Sequence, residues 1–312
     1  MEYRNVGRSG LLVSAVGVGC NNFGARASLE ASSAVVHKAL ELGINFFDTA
    51  DVYGPRGVSE EYLGKALGDR RRDAVIATKF GSPMADDPFT RGASRRYIVT
   101  AVEASLKRLN SDYIDLYQVH TPDPATPLDE TLRALDDLVH QGKVRYIGHS
   151  NFAGWQVSEC HYLAQTQLLT PFVSAQNEYN LLERSIEAEL VPACQAHGVG
   201  ILPYFPLASG FLTGKYSRSG PLPEGARLTN NAATRARHMT ERNWTILEKL
   251  TALAERRGHS MNDLSVAWLL SRPYISSVIA GATRPEQVEA NVRAGQWRLS
   301  PEDVAEIDAI TA

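Results

Sequence analysis

Four residues able to hold or move a proton stand directly behind short apolar runs. Asp48 and then Tyr53 follow Ile44-Asn45-Phe46-Phe47, Lys79 follows Val75-Ile76-Ala77-Thr78, and His120 follows Tyr117-Gln118-Val119. Each alone has a plain structural explanation: Asp48 could cap a helix, Tyr53 could pack in a loop, Lys79 could be a surface charge and His120 a satisfied core histidine. A carboxylate, a phenol, an ammonium and an imidazole closing three successive runs are harder to assign to coincidence. The set suits protonation of a carbonyl oxygen as a hydride reaches the carbonyl carbon. A phenol ionises at about pH 10 and is a poor general acid or base unless its anion is stabilised. A neighbouring ammonium stabilises that anion, and a carboxylate holds the ammonium in place. On this reading Tyr53 is the acid, Lys79 its tuner and Asp48 the anchor, while His120 hydrogen-bonds and orients the carbonyl.

Such a set works only if the runs that carry it are neighbours in one sheet. The chain repeats a short apolar run, a loop and a longer stretch of helical periodicity. Strands are predicted over residues 15–18, 45–47, 74–78, 114–118, 146–148, 173–176, 200–203 and 278–279. Segments 32–42, 95–109, 128–141, 186–197 and 261–270 place apolar residues three and four apart, as helices packing one face on a sheet must, and further helices are predicted to begin near Asn243 and Pro285. Leu42-Gly43 and His197-Gly198 read as helix ends. This alternation implies a parallel α/β sheet, because parallel neighbours need a crossover that a helix supplies. Eight units suggest closure into a (β/α)8 TIM barrel, whose strand carboxyl ends aim side chains at one point. A doubly wound open sheet satisfies the same alternation, but the glycine-rich stretch from Val16 to Gly24 lacks the G-x-G-x-x-G spacing of a nucleotide-binding open sheet.

Residues 3–14, with Gly7-Arg8-Ser9-Gly10 as a turn, predict an N-terminal β-hairpin that plugs the amino-terminal end of the barrel. Residues 211–240 mix glycines, prolines and polar residues and read as a long irregular loop, a length that in compact domains is usually functional or disordered. No composition shift marks a boundary, so residues 1–312 are expected to form a single barrel domain. A hydrophobic content of 44% is enough for a large core, and a net charge of −3 argues against a nucleic-acid or membrane partner. Arg70-Arg71-Arg72, flanked by Asp69 and Asp73, reads as a solvated turn. Cys20, Cys160 and Cys194 lack any metal-ligand spacing, so no metal is expected and a reduced compartment is the simpler reading. The amino terminus carries charges and glycines where a signal peptide needs an apolar stretch, and a cytoplasmic location is expected.

The sequence resembles the aldo-keto reductase superfamily over nearly its whole length. The resemblance rests on Asp48-Thr49-Ala50-Asp51-Val52-Tyr53-Gly54, Ala77-Thr78-Lys79-Phe80, Gln118-Val119-His120, Gly148-His149-Ser150-Asn151 and Gln176-Asn177-Glu178-Tyr179-Asn180, and on the stretches Pro206 to Tyr216 and Gly281 to Gln287. Its details are most similar to bacterial reductases related to the potassium-channel beta subunits. The resemblance implies catalytic roles for Asp48, Tyr53, Lys79 and His120 and an NADP(H) cofactor across the barrel mouth, with NAD(H) as an alternative. It places Ser150, Asn151 and Gln176 on the carboxamide and Tyr204 against the nicotinamide ring. Pro206, Leu207, Ala208, Ser209, Gly210 and Lys215 would follow the pyrophosphate. Gly281, Thr283, Arg284, Gln287 and Asn291 match the pocket for the adenosine 2′-phosphate and adenine, with a helix amino end near Pro285 facing the phosphate. Cys20, Asn21, Phe205 and Arg227 complete the implied cofactor contacts, Asp48 counting among them as well.

Some positions depart from the common pattern. Phe205 stands where a serine often follows the stacking aromatic, Ala290 where an acidic residue often meets adenine, and Gln287 where many relatives have arginine, with Arg284 left to supply the cation. Two other functions compete with carbonyl reduction of a small-molecule substrate. One is a redox-sensing, NADP-binding regulatory subunit, against which His120 speaks, because the channel subunits place asparagine there. The other is a barrel aldolase using Lys79 as a Schiff base, which leaves Tyr53 without a task. Phe23, Tyr53, Phe205 and residues 211–240 are expected to shape an apolar pocket. Neither the individual substrate nor the oligomeric state is legible.

Overall fold

The computed structural model describes residues 1–312. A two-stranded hairpin, β1 (Tyr3–Asn5) and β2 (Leu12–Ser14), precedes eight parallel strands. These are β3 (Val16–Gly19), β4 (Phe46–Asp48), β5 (Val75–Phe80), β6 (Ile114–Val119), β7 (Val144–Ser150), β8 (Phe172–Gln176), β9 (Gly200–Ile201) and β10 (Val278–Gly281). They hydrogen-bond in chain order from β3 to β9, with β10 on the other side of β3. The ring closes where Ile201 bridges Ile275, with Ser276 N–H donating to the Ile201 carbonyl at 3.0 Å. All eight predicted strands are present, and the closed barrel supersedes the open-sheet alternative.

Side chains alternate across each strand, so every second residue enters the barrel. Phe46, Ala77, Leu116, Leu202 and Ile279 form the inner layer, and Val6, Leu11 and Val13 of the hairpin segment close it from below. The hairpin does plug the amino-terminal end. Arg4 donates to the carbonyls of Leu270 and Ile275 at 3.0 Å each, and the Arg8 N–H to Gly198 at 2.7 Å. Gly7 sits there with φ +56°, and a Cβ on it would lie 2.4 Å from the Gly198 oxygen, so no larger residue fits. Higher in the barrel Gly148 is needed for the same reason, since its Cβ would meet Ser174 Oγ at 2.0 Å. The outward residues of the strands join the surrounding helices in the main hydrophobic core.

Several helices follow the predicted periodicity: Leu29–Glu41, Arg95–Leu109, Leu128–His140 and Met261–Leu270. Ser28, Ser94 and Ser260 cap the first, second and fourth with side-chain oxygens. The predicted helix over 186–197 is shorter, Leu190–His197, preceded by a separate turn at Ser185–Glu187. Pro192 explains the late start, because proline fits the first helical turn but its ring would clash with a carbonyl four residues earlier. Residues 211–240 are not irregular throughout: they hold the short helices Arg227–Asn230 and Ala232–His238, the second capped by Asn231. Arg71 also departs from expectation. Instead of being solvated it is half-buried, reaching Asp115 at 2.8 Å and the Tyr113 carbonyl at 3.0 Å. No helix is long and apolar enough to cross a membrane.

Candidate active site

Alternation points the chemical residues into the barrel. Asp48, Lys79 and Gln118 each stand two residues beyond Phe46, Ala77 and Leu116 on β4, β5 and β6; Asp48 pairs in register with Ala77 and Lys79 with Gln118, and His120 follows just beyond β6. Residues 49–53 fold back over β5. The Thr49 N–H donates to the Ala77 carbonyl at 2.8 Å and the Asp51 N–H to the Lys79 carbonyl at 3.0 Å, which brings Tyr53 over the end of the same strand.

Lys79 is wholly buried, and its ammonium spends its three donors on both Asp48 oxygens, at 2.8 and 2.7 Å, and on the Thr49 carbonyl at 2.8 Å. Asp48 also accepts from Gln176 Nε2 at 2.8 Å. The buried ion pair is thereby satisfied on both sides, which its desolvation requires. The ammonium lies 4.9 Å from the centroid of the Tyr53 ring. Burial pushes the Tyr53 phenol above its ordinary value while Lys79 pulls it down and Asp48 pushes it up, so the phenol keeps its proton at neutral pH. His120 meets Tyr53 edge to face at 5.7 Å. Burial, and then Lys79, push its imidazole down to about 3, so it is neutral and can donate a hydrogen bond without a charge. Its Nδ1 is buried without a partner.

From this group a cleft of about 660 Å³ runs across the barrel mouth. Ser150 donates to the Gln176 carbonyl at 2.7 Å, Asn151 Nδ2 to the His120 carbonyl at 2.9 Å, and the Tyr204 hydroxyl to Asn151 Oδ1 at 2.9 Å. Of the seven non-glycine residues in the left-handed region, four lie here: Asn151, Phe205, Ala208 and Ser209. Such conformations persist only where the surroundings impose them, and they concentrate at functional sites. At the far end stand Arg26, Lys215, Arg227 and Arg284. Burial and then the three arginines pull the Lys215 ammonium down. Arg227 reaches Asn22 Oδ1 at 3.1 Å, and Arg284 has only the exposed Glu286, at 3.8 Å. This cluster of cations with so little counter-charge fits a ligand carrying several phosphate charges. Arg284 also begins the helix Pro285–Ala294, whose amino end lacks a side-chain cap, and Gln287 Oε1 accepts from the Thr283 N–H at 2.7 Å.

Every residue expected to catalyse or to hold the cofactor lines this one cleft except Cys20, Lys79 and Ala208, which are buried behind it. Phe23 does not shape a substrate pocket: it is fully buried, and the residues lining the cleft are mostly polar. Asn22, Arg26 and Asn262 line it as well. Arg26 is legible as a cation in the loop after β3; Asn22 and Asn262 carry no signal without the fold.

A family model described as the Aldo/keto reductase family matches residues 15–312. A protein named probable voltage-gated potassium channel subunit beta from Arabidopsis thaliana is 38% identical, over 94% of this chain and 91% of its own length. An L-glyceraldehyde 3-phosphate reductase from Escherichia coli strain K12 is 36% identical over 99% of this chain and 92% of its own. A versiconal hemiacetal acetate reductase from Aspergillus parasiticus is 36% identical over 97% and 95%. The chain belongs to the aldo/keto reductase family and is an oxidoreductase by class.

Proposed function

We propose that this member of the aldo/keto reductase family reduces aldehydes and ketones to alcohols with NADPH, and that Tyr53 delivers the proton. The observation that carries the reading is the buried Lys79–Asp48 pair set against the Tyr53 ring beside a neutral His120. When bound, the nicotinamide cofactor supplies the hydride for the carbonyl carbon. Ser150, Asn151 and Gln176 would hold its carboxamide, Tyr204 would meet its ring, Ser209, Gly210 and Lys215 would take its pyrophosphate, and Thr283, Arg284, Gln287 and Asn291 its adenosine end. The four cations at that end favour a 2′-phosphate, hence NADPH over NADH.

Tyr53 holds the substrate oxygen by its hydroxyl and gives up its proton as that oxygen gains electrons. Lys79 stabilises the phenolate left behind, and Asp48 keeps the ammonium charged and in place. His120 supplies a second, uncharged hydrogen bond to the same oxygen and fixes its direction.

The test is NADPH oxidation across aldehydes, ketones, sugars and steroids, beside a binding titration of NADPH. Turnover of at least one carbonyl class supports the reading. Tight binding with no turnover of any class returns the protein to the regulatory alternative.

A further inference from the structure

Residues 49–53 carry a second buried polar group, outside the cleft, that the reaction proposed above does not use. Asp51 is buried, as are Glu60 of the helix Val58–Leu67 and Tyr117 of β6. Arg108, on the helix Arg95–Leu109, donates to Glu60 at 2.6 Å, and Thr78 donates to the other Glu60 oxygen at 2.6 Å. Asp51 receives the Tyr97 hydroxyl at 3.5 Å, the outer limit of a hydrogen bond, and a weak contact from the Val52 N–H. Its Oδ1 and the Tyr117 hydroxyl have no partner at all. Of the two buried carboxylates only Glu60 has a guanidinium partner.

An ionised carboxylate left unpaired in such a place is costly, and a neutral acid much less so. Burial, then the charge of Glu60, push the Asp51 carboxyl up to about 8, with Arg108 opposing them. Tyr97 and Tyr117 are pushed above the ordinary phenol range by burial first and by Asp51 next, so both stay protonated beside it. Lys79 meets Asp51 only through the main chain. Asp51 is thereby held toward its neutral, protonated form.

Both partners of the reaction depend on this residue. The Asp51 N–H holds the Lys79 carbonyl, and Tyr53 lies two residues further along a turn closed by its own N–H on the Ala50 carbonyl at 3.1 Å. We propose that Asp51 is a positioning residue for Tyr53: its carboxyl proton keeps residues 49–53 seated on β5, and loss of that proton loosens them and lowers turnover. The inference rests on the reading of Tyr53 as the acid. At pH below the ordinary carboxylate range the segment is firmly seated; as pH rises from there through the titration of Asp51, the charge on Asp51 finds no cation partner, repels Glu60, and the two main-chain bonds to β5 weaken. The Tyr53 phenol, held above its ordinary value, is still protonated at that point.

Asp51→Asn keeps the shape and stays neutral at every pH. Hydrogen exchange of the amides of residues 49–53 and the pH profile of kcat are measured on both proteins between about pH 5 and 9. Expected is that wild type loses protection in this segment beyond the ordinary base-catalysed increase, and loses several-fold in kcat, while Asp51→Asn keeps both. Unchanged wild-type protection overturns the inference even if the variant fails to fold. A segment that loosens while the two kcat profiles coincide overturns the positioning role. Absence of turnover at every pH, with the exchange curves still parting, strikes the reductase reading and leaves the loosening of the segment standing.

Discussion

The two ends of the cleft are built on opposite plans. At the end proposed to carry the reaction, Asp48, Lys79 and Gln176 come from three strands, are buried, and satisfy one another before any ligand arrives. At the end proposed to take the phosphates, Arg26, Lys215, Arg227 and Arg284 stand on loops and helix starts, partly open, and burial first, then like charges, pull Lys215 and Arg227 down. A reaction group must be in place before the bond breaks, so its charges are cancelled internally and fixed by strands. A binding group for a polyanion must keep charge to spare. The first plan spends its electrostatics on geometry and the second stores it as affinity.

Replacing Tyr53 by Phe should separate the two ends most sharply. Removing only the hydroxyl should cost about a hundredfold to ten-thousandfold in turnover, the usual range for a general acid, and leave NADPH affinity near wild type. Turnover and a fluorescence titration read the two sides, and retention of most activity would dissolve the division of labour. Lys79→Met should follow. It strands the Asp48 charge, so destabilisation of about 3–5 kcal/mol is expected in denaturant melts, together with loss of activity. Wild type trapped with borohydride and candidate aldehydes should give no adduct on Lys79 by intact mass, whereas a stable one would turn the reaction end into an aldolase.

At the other end Arg284→Ala should weaken NADPH about tenfold to a hundredfold and leave NADH little changed, since a charge-assisted hydrogen bond contributes about 1.5–3 kcal/mol. Equal losses for both cofactors would shift the selectivity to Lys215 or Arg227. The smallest effect is that of salt. Raising ionic strength should weaken NADPH binding several-fold by screening the open cations and leave saturated turnover nearly constant, because the Lys79–Asp48 pair is shielded from solvent. A fall in kcat matching the fall in affinity would show that the two plans are not separate.

The parts legible in the sequence are those that a period dictates. Strands of a closed parallel barrel are short apolar runs, and the polar residue that ends each run is where the reaction group begins. The helix Gly154–Gln167 shows how the pattern fails. Its buried face is made of Gly154, Val157, Cys160 and Ala164, while Trp155 and Tyr162 face solvent, so small residues hide the stripe that large ones would have drawn. The helices Val58–Leu67 and Pro301–Thr311 were likewise passed over. Asp51 was visible in the sequence only as a letter between Asp48 and Tyr53, because its isolation depends on Glu60, Arg108 and Tyr117 arriving from three other elements.

The plug at the bottom of the barrel sets an order in time. β1 and β2 are made before the barrel strands, yet the carbonyls that Arg8 and Arg4 grip belong to Gly198, Leu270 and Ile275. Val6, Leu11 and Val13 can pack early on Phe46, Ala77 and Leu116, but the main-chain grips that fix the hairpin close only late. Contacts so distant along the chain form slowly, because the loop between them must be closed before they return anything. Until Ile275 has emerged, the hairpin rests on a half-built inner layer without its last main-chain anchors, and the open side of that layer is exposed to aggregation and to proteases.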